Sequence, residues 1–280
     1  MFLFASITLQ AVSFLLMEAI CFLSVFPLLK GQEFGMEDIY LVCIWGLAGF
    51  VNGISGMGAA LMAVPFMTLF MDIRLIVPFS CLMVVVLSST LAIKYRSEFH
   101  IKIILPALFC AIPGAFLGTL VLKILSSHVL EIFMAVVLIV YAIWNFMQKY
   151  TPKEERNSAL VGGACGFFSG FFGSTISFTG PPLAIYILYT GWKQQKALGS
   201  LGAALIIITG TSCVSHYFAG LYTKEFLHYL LIGVPAGIFG MLVSFPFIKY
   251  ITQETFRKIL LLVIGFAGIM CLTRVIHYYF

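Results

Sequence analysis

The chain has 280 residues, of which 61% are hydrophobic and only 10% charged, against roughly 25% charged residues in a soluble domain. A chain so poor in charge cannot cover a water-facing surface, which excludes an ordinary soluble globule and leaves lipid as its solvent. The net charge of +5 comes without a basic run or aromatic-interleaved patch, which excludes nucleic acid as a partner; the basic residues flank apolar stretches, where membrane topology puts them.

The first apolar stretch, Phe2 to Leu29, lacks a basic leader and a small-residue cleavage site and is longer than a signal-peptide core, so it reads as a retained N-terminal span. It holds Glu18, an acid well inside a predicted span and therefore a candidate proton-linked residue. The later segments run Asp38–Met71, Leu75–Tyr95, Ile101–Leu122, Val129–Gln148, Ser158–Tyr189, Ala197–Phe218, Phe226–Ile248 and Phe256–Ile276. Most approach the ~20 residues needed to cross a bilayer. Asp38–Met71 and Ser158–Tyr189 are longer, and glycine and proline interrupt both near the middle. The first break reads Gly53-Ile54-Ser55-Gly56-Met57-Gly58, with Pro65 following; the second reads Gly170-Phe171-Phe172-Gly173-Ser174-Thr175, with Gly180-Pro181-Pro182 following. Such density stops a helix. Each long segment is therefore either one kinked span or a hairpin of two half-helices.

Charge placement separates the two. With one crossing per segment, the 16 Lys and Arg divide 7 to 9; with both long segments returning to their own side, they divide 11 to 5. The poor side then holds only Lys30, Arg74, Lys123, Lys224 and Arg274. The positive-inside rule favours the returning hairpins and a cytoplasmic N-terminus.

The chain also repeats itself. Gly49, Phe50, Gly53, Gly56 and Pro65 recur without a gap as Gly166, Phe167, Gly170, Gly173 and Pro182. Further on, Ser89-Thr90 corresponds to Thr211-Ser212, and Pro113 with Gly118 to Pro235 with Gly240. The expected architecture is an all-α polytopic membrane domain: residues 1–37 as an extra N-terminal helix and linker, then two units, 38–150 and 151–280. Each unit is a glycine-broken re-entrant hairpin plus three transmembrane helices, and the odd number of crossings makes the repeat inverted. Inverted repeats with interrupted helices in matching places point to a secondary transporter with its site near the midplane.

Broken helices expose backbone groups that are tolerable only against a protein cavity, and the N-terminus of each second half-helix favours an anion. The candidate substrate-binding residues are Asn52, Gly53, Ser55, Gly56 and Gly58 at the first break. At the second they are Ser169, Gly170, Gly173, Ser174, Thr175, Ser177, Thr179, Gly180 and Pro182. Ser89, Thr90, Thr211 and Ser212 join them from the following spans, with Ser88 and Thr209 as further nearby hydroxyls. Hydroxyls in spans also pack helices or bond their own backbone. His216, expected near the end of its span at the membrane interface, is a second candidate proton-linked residue. No HExxH, GxSxG or P-loop motif occurs, so no enzyme activity is expected. The seven cysteines fall singly in apolar segments without metal-ligand spacing; they read as free buried thiols, with no metal and no cofactor.

The two glycine-rich stretches, Gly49-Phe50-Val51-Asn52-Gly53-Ile54-Ser55-Gly56-Met57-Gly58 and Gly166-Phe167-Phe168-Ser169-Gly170-Phe171-Phe172-Gly173 with Thr179-Gly180-Pro181-Pro182-Leu183, resemble those of the TauE/SafE family over roughly residues 40 to 276. The resemblance implies export of a small anion, sulfite or an organosulfonate such as sulfoacetate, across the bacterial inner membrane. Where the family often has three glycines, this chain has Gly58-Ala59-Ala60 and Ser174-Thr175-Ile176, whose extra side chains narrow or reshape the cavity. An anion channel on the same scaffold and a membrane enzyme or assembly factor are the alternatives. The expected partners are a small anion and the lipid bilayer, with a homodimer as the oligomer to consider.

Overall fold

The computed structural model describes residues 35–94, 101–147, 158–191, 194–223, 225–247, 261, 264–266 and 268–273. The expected N-terminal span, with Glu18, lies outside the described residues. The chain divides into two units, Met1–Ile39 and Tyr40–Phe280. In the first, the described residues open a helix, where the Gly35 amide donates to Asp38 Oδ2 at 3.0 Å.

The described residues form helices and no strand. The nine helices named here are α1 (Met36–Ser55), α2 (Ala59–Met67), α3 (Ile73–Lys94), α4 (Ile101–Ile124), α5 (Ser127–Met147), α6 (Ala159–Ile176), α7 (Gly180–Thr190), α8 (Gln194–Phe218) and α9 (Glu225–Phe247). Seven of them are long and apolar enough to cross a membrane; α2 and α7 are not. With 9 and 11 residues, these two extend only about 14 and 16 Å at 1.5 Å per residue, half of a ~30 Å hydrocarbon core. The outward faces of the long helices are apolar, with Phe109 and Phe116 on α4 and Val140 and Ile143 on α5 exposed. That is the surface of a multi-pass membrane protein.

Glycine sets how closely the helices approach. A Cβ on Gly49 would stand 2.8 Å from the carbonyl carbon of Gly237, and one on Gly53 would stand 3.0 Å from the Met241 carbonyl oxygen, so α1 and α9 touch backbone to backbone and run the same way. α4 and α6 meet likewise, Gly166 over Ala107 and Gly170 over Ala111. Such small-residue seams replace the hydrophobic drive that lipid does not supply. Gly53 and Gly170 were expected at the breaks. Both instead lie inside helices and serve these seams.

Contacts fix further helix directions. Gly233 of α9 meets Phe79 and Met83 of α3, and Gly237 meets Met83 and Leu87, so α3 runs with α9 and hence with α1. α8 runs against α3: Gly202 lies at Ala92 and the Ser88 carbonyl, and Cys213, later on α8, lies near Cys81, earlier on α3. α7 comes back alongside α6. Ser169 donates to the Thr179 carbonyl at 2.6 Å, Gly173 faces Thr179, and Gly162, near the start of α6, faces the Tyr186 ring.

Candidate functional site

Both short helices follow a break whose backbone can be read from its residues. α1 stops because Gly56 and Gly58 take φ of 74° and 144°, values that favour glycine. Ser55 Oγ donates to the Val51 carbonyl at 2.9 Å and to the Met57 carbonyl. Gly58 then opens α2 with no side chain to cap its first turn.

The second break comes later than expected. α6 continues through Gly170-Phe171-Phe172-Gly173-Ser174-Thr175 and ends at Ile176. Ser177 takes the left-handed conformation, φ 58°, as the one non-glycine residue with positive φ among those described. Its amide bonds to the Gly173 carbonyl at 2.9 Å and that of Phe178 to the Phe172 carbonyl at 3.1 Å. The bond from Ser177 to Gly173 is that of the αL closure, with serine at the usual glycine position. Left-handed geometry costs a residue with a Cβ about 1–2 kcal/mol. A hydrogen bond from Ser80 Oγ on α3 to Ser177 Oγ, at 2.6 Å, partly offsets it. At the start of α7, Pro181 and Pro182 have no N–H. The anion-directed amides expected there therefore reduce to those of Thr179 and Gly180, since the Leu183 N–H closes the first turn of α7, whereas the first turn of α2 keeps its own.

The two breaks meet. A Cβ on Gly180 would stand 3.0 Å from Met57 Cβ and 3.2 Å from its sulfur. Met57 packs into a cluster with Ile104, Ala107, Leu183, Leu201 and Leu205. Beside it, a cavity with room for about one water-sized sphere lies between the first turn of α2 (Ala60, Leu61), the second break (Ile176, Ser177, Phe178) and Met134 and Leu138 of α5.

Around the second break the polar groups form pairs. Ser174 Oγ donates to Ser212 Oγ at 2.7 Å, and Thr175 Oγ1 reaches the Phe171 and Gly118 carbonyls at 2.7 and 3.1 Å. Cys81 Sγ donates to the Gly173 carbonyl at 3.6 Å. His216 is in the last turn of α8, as expected, but it is not an interface residue: it is fully buried. Its Nε2 lies 3.0 Å from the Ser174 carbonyl, an acceptor, so Nε2 carries the proton and Nδ1 is left without a partner. Tyr222, in the link after α8, donates to the Cys213 carbonyl at 3.1 Å, and burial pushes its phenol well above the ordinary range.

Other candidates are placed apart from this cluster. Ser89, Thr90 and Thr211 donate to the carbonyls of their own helices at Val85, Val86 and Ile207. Asn52, Ser88 and Thr209 are buried, each with a polar atom lacking a partner. Cys43 is exposed rather than buried, because it lies on the outward side of α1. Ser80 and the fully buried Trp45, whose Nε1 is also unpaired, escaped the sequence reading, and Cys81 was expected only as a free buried thiol, which it is. Nothing local marks Ser80, a lone hydroxyl in an apolar run 97 residues from its partner.

The arrangement offers hydroxyls, amides and one imidazole in a low-dielectric setting, and none of the residues gathered at the breaks is charged. No curated protein and no solved structure matches the chain. The family model for the sulfite exporter TauE/SafE matches residues 41–271, nearly all of the larger unit and both breaks, and so the chain belongs to the TauE/SafE family of membrane sulfite exporters.

Proposed function

We propose that this protein is a secondary transporter that exports a small anion, sulfite or an organosulfonate such as sulfoacetate, between its two helix breaks. The observation that carries the reading is the contact of Met57 with Gly180. It brings together two interruptions that stand 123 residues apart in sequence, at the ends of half-length helices. In this reading α1–α2 and α6–α7 are re-entrant hairpins, and the units 38–150 and 151–280 are inverted relative to each other. Support comes from the shared direction of α1 and α3, which requires the short α2 between them to return, and from the packing of α7 back along α6. The charge division supports an N-terminus in the cytoplasm, and the resemblance to the TauE/SafE family implies a bacterial inner membrane.

Proteoliposomes loaded with labelled sulfite or sulfoacetate test the proposal. Saturable efflux above that of empty vesicles is expected. Efflux no faster than from protein-free vesicles for either anion defeats it.

A further inference from the structure

Besides Trp45 Nε1 and His216 Nδ1, three buried polar side chains among the described residues, on three helices, lack a hydrogen-bond partner: Asn52 Nδ2 on α1, Ser88 Oγ on α3 and Thr209 Oγ1 on α8. Each can donate a hydrogen bond, and a buried donor left unpaired is costly and uncommon. Helical hydroxyls have an easy remedy, a bond to the carbonyl four residues back. Ser89 and Thr90, adjoining Ser88, take it; so do Thr211 and Ser212, close to Thr209. Ser88 and Thr209 do not.

Their depths agree. Gly49 of α1 and Met83 and Leu87 of α3 all meet Gly237. Asn52 lies one helical turn beyond Gly49, and Ser88 directly follows Leu87, on helices running the same way. On α8, Thr209 lies between Leu205, packed in the cluster that holds Met57 of the first break, and Ser212, bonded to Ser174 near the second. On α3, Ser88 lies between Ser80, bonded to Ser177, and the Ala92–Gly202 contact. All three donors therefore sit between the levels of the two breaks.

We infer that Asn52, Ser88 and Thr209 are the groups that hold the transported anion, and that they select a monoanion: a sulfonate, or sulfite in its singly protonated form. The inference rests on the anion-transport reading. Its charge selection follows from the donors being neutral. In the described helices Lys and Arg stand at the ends, as Arg74, Lys94, Lys123 and Lys196 do, so among the described residues no fixed cation faces the anion. The Born cost of leaving water rises with the square of the charge, about fourfold from one charge to two. The attraction of neutral dipoles rises only in proportion to charge. A dianion therefore loses more on arrival than these donors return. The helices close over the donors, so the anion reaches them when the breaks move apart.

The test is isothermal titration calorimetry of the full chain in detergent at pH 7, with sodium methanesulfonate and sodium sulfate as probes that differ by one charge. Saturable binding of methanesulfonate is expected, with sulfate at least about tenfold weaker. Ser88→Ala and Thr209→Val should each weaken methanesulfonate binding by about tenfold or more, as for loss of a hydrogen bond to a charged group. Their Tm without anion should equal or exceed that of the parent, because an unpaired donor contributes nothing to the fold. Sulfate binding as tightly as methanesulfonate, or neither binding, overturns the charge selection. Parental affinity in both variants, or a lowered Tm in the absence of anion, overturns the donor assignment. Efflux from parental proteoliposomes reads the transport proposal separately: flux with adverse titrations defeats only this inference, and no flux defeats the proposal beneath it.

Discussion

Replacing Gly49 by alanine tests whether backbone contact between α1 and α9 organises the protein. The new methyl would sit 2.8 Å from the Gly237 carbonyl carbon and 3.0 Å from its Cα. Carbon atoms prefer about 3.5–4.0 Å, so the overlap with these two carbons is about 0.5–1.2 Å, and the Gly237 carbonyl oxygen lies closer still. The obstacle is main chain, which cannot rotate away, and the helices must part. Overpacking of this kind costs about 1–3 kcal/mol, against a gain of about 0.5–1 kcal/mol from removing a glycine from a helix. The net expectation is a loss of about 1–2 kcal/mol. Gly210 on α8 supplies the control: a Cβ there meets nothing within 4 Å, so Gly210→Ala keeps the helix gain and should stabilise by up to about 1 kcal/mol. Reversible unfolding in mixed micelles, followed by circular dichroism, reads both. Two identical chemical changes should thus move stability in opposite directions. If both variants stabilise, the seam is not in contact and the reasoning fails.

Other substitutions probe the breaks. Ser177→Gly should leave stability nearly unchanged, since relief of about 1–2 kcal/mol of left-handed strain offsets the loss of the Ser80 bond, worth about 1 kcal/mol. Ser177→Val should cost at least about 2 kcal/mol, as a β-branched residue fits that conformation poorly; thermal unfolding compares the two. His216→Phe should destabilise by about 1–3 kcal/mol by leaving the Ser174 carbonyl unpaired, whereas His216→Gln, which keeps a donor, should recover part of that loss in the same melt. Ser174→Ala and Ser212→Ala in a double-mutant cycle should show a coupling of about 0.5–1.5 kcal/mol.

Composition and apolar segment length were enough to read the spans, because lipid leaves the backbone few options. The glycine repeat was legible too, but glycine has two uses that sequence cannot separate. At Gly56 and Gly58 it supplies positive φ; at Gly49, Gly53, Gly166 and Gly170 it lets helices touch. Matching Gly56 to Gly173 therefore misplaced the second break by about one turn, since a serine, not a glycine, takes the left-handed position there. The downstream correspondence slips as well. Pairing Gly118 with Gly240 would set Gly237 in the place of Ala115, yet Gly49 meets Gly237 whereas its counterpart Gly166 meets Ala107. In the site, the hydroxyls close to the breaks were found, but which of them bond their own helix was not, since Ser88 and Ser89 differ only in the side of α3 they occupy.

In the proposed transport an anion passes between two breaks that touch. In a background with the native cysteines replaced, Met57→Cys and Gly180→Cys place two thiols where the Cβ atoms would lie about 3.0 Å apart, close enough to bridge after a small adjustment toward the usual 3.5–4.5 Å. Sulfite or sulfoacetate efflux from proteoliposomes should stop when this pair is oxidised and return on reduction. Undiminished efflux from the fully cross-linked protein would contradict the account.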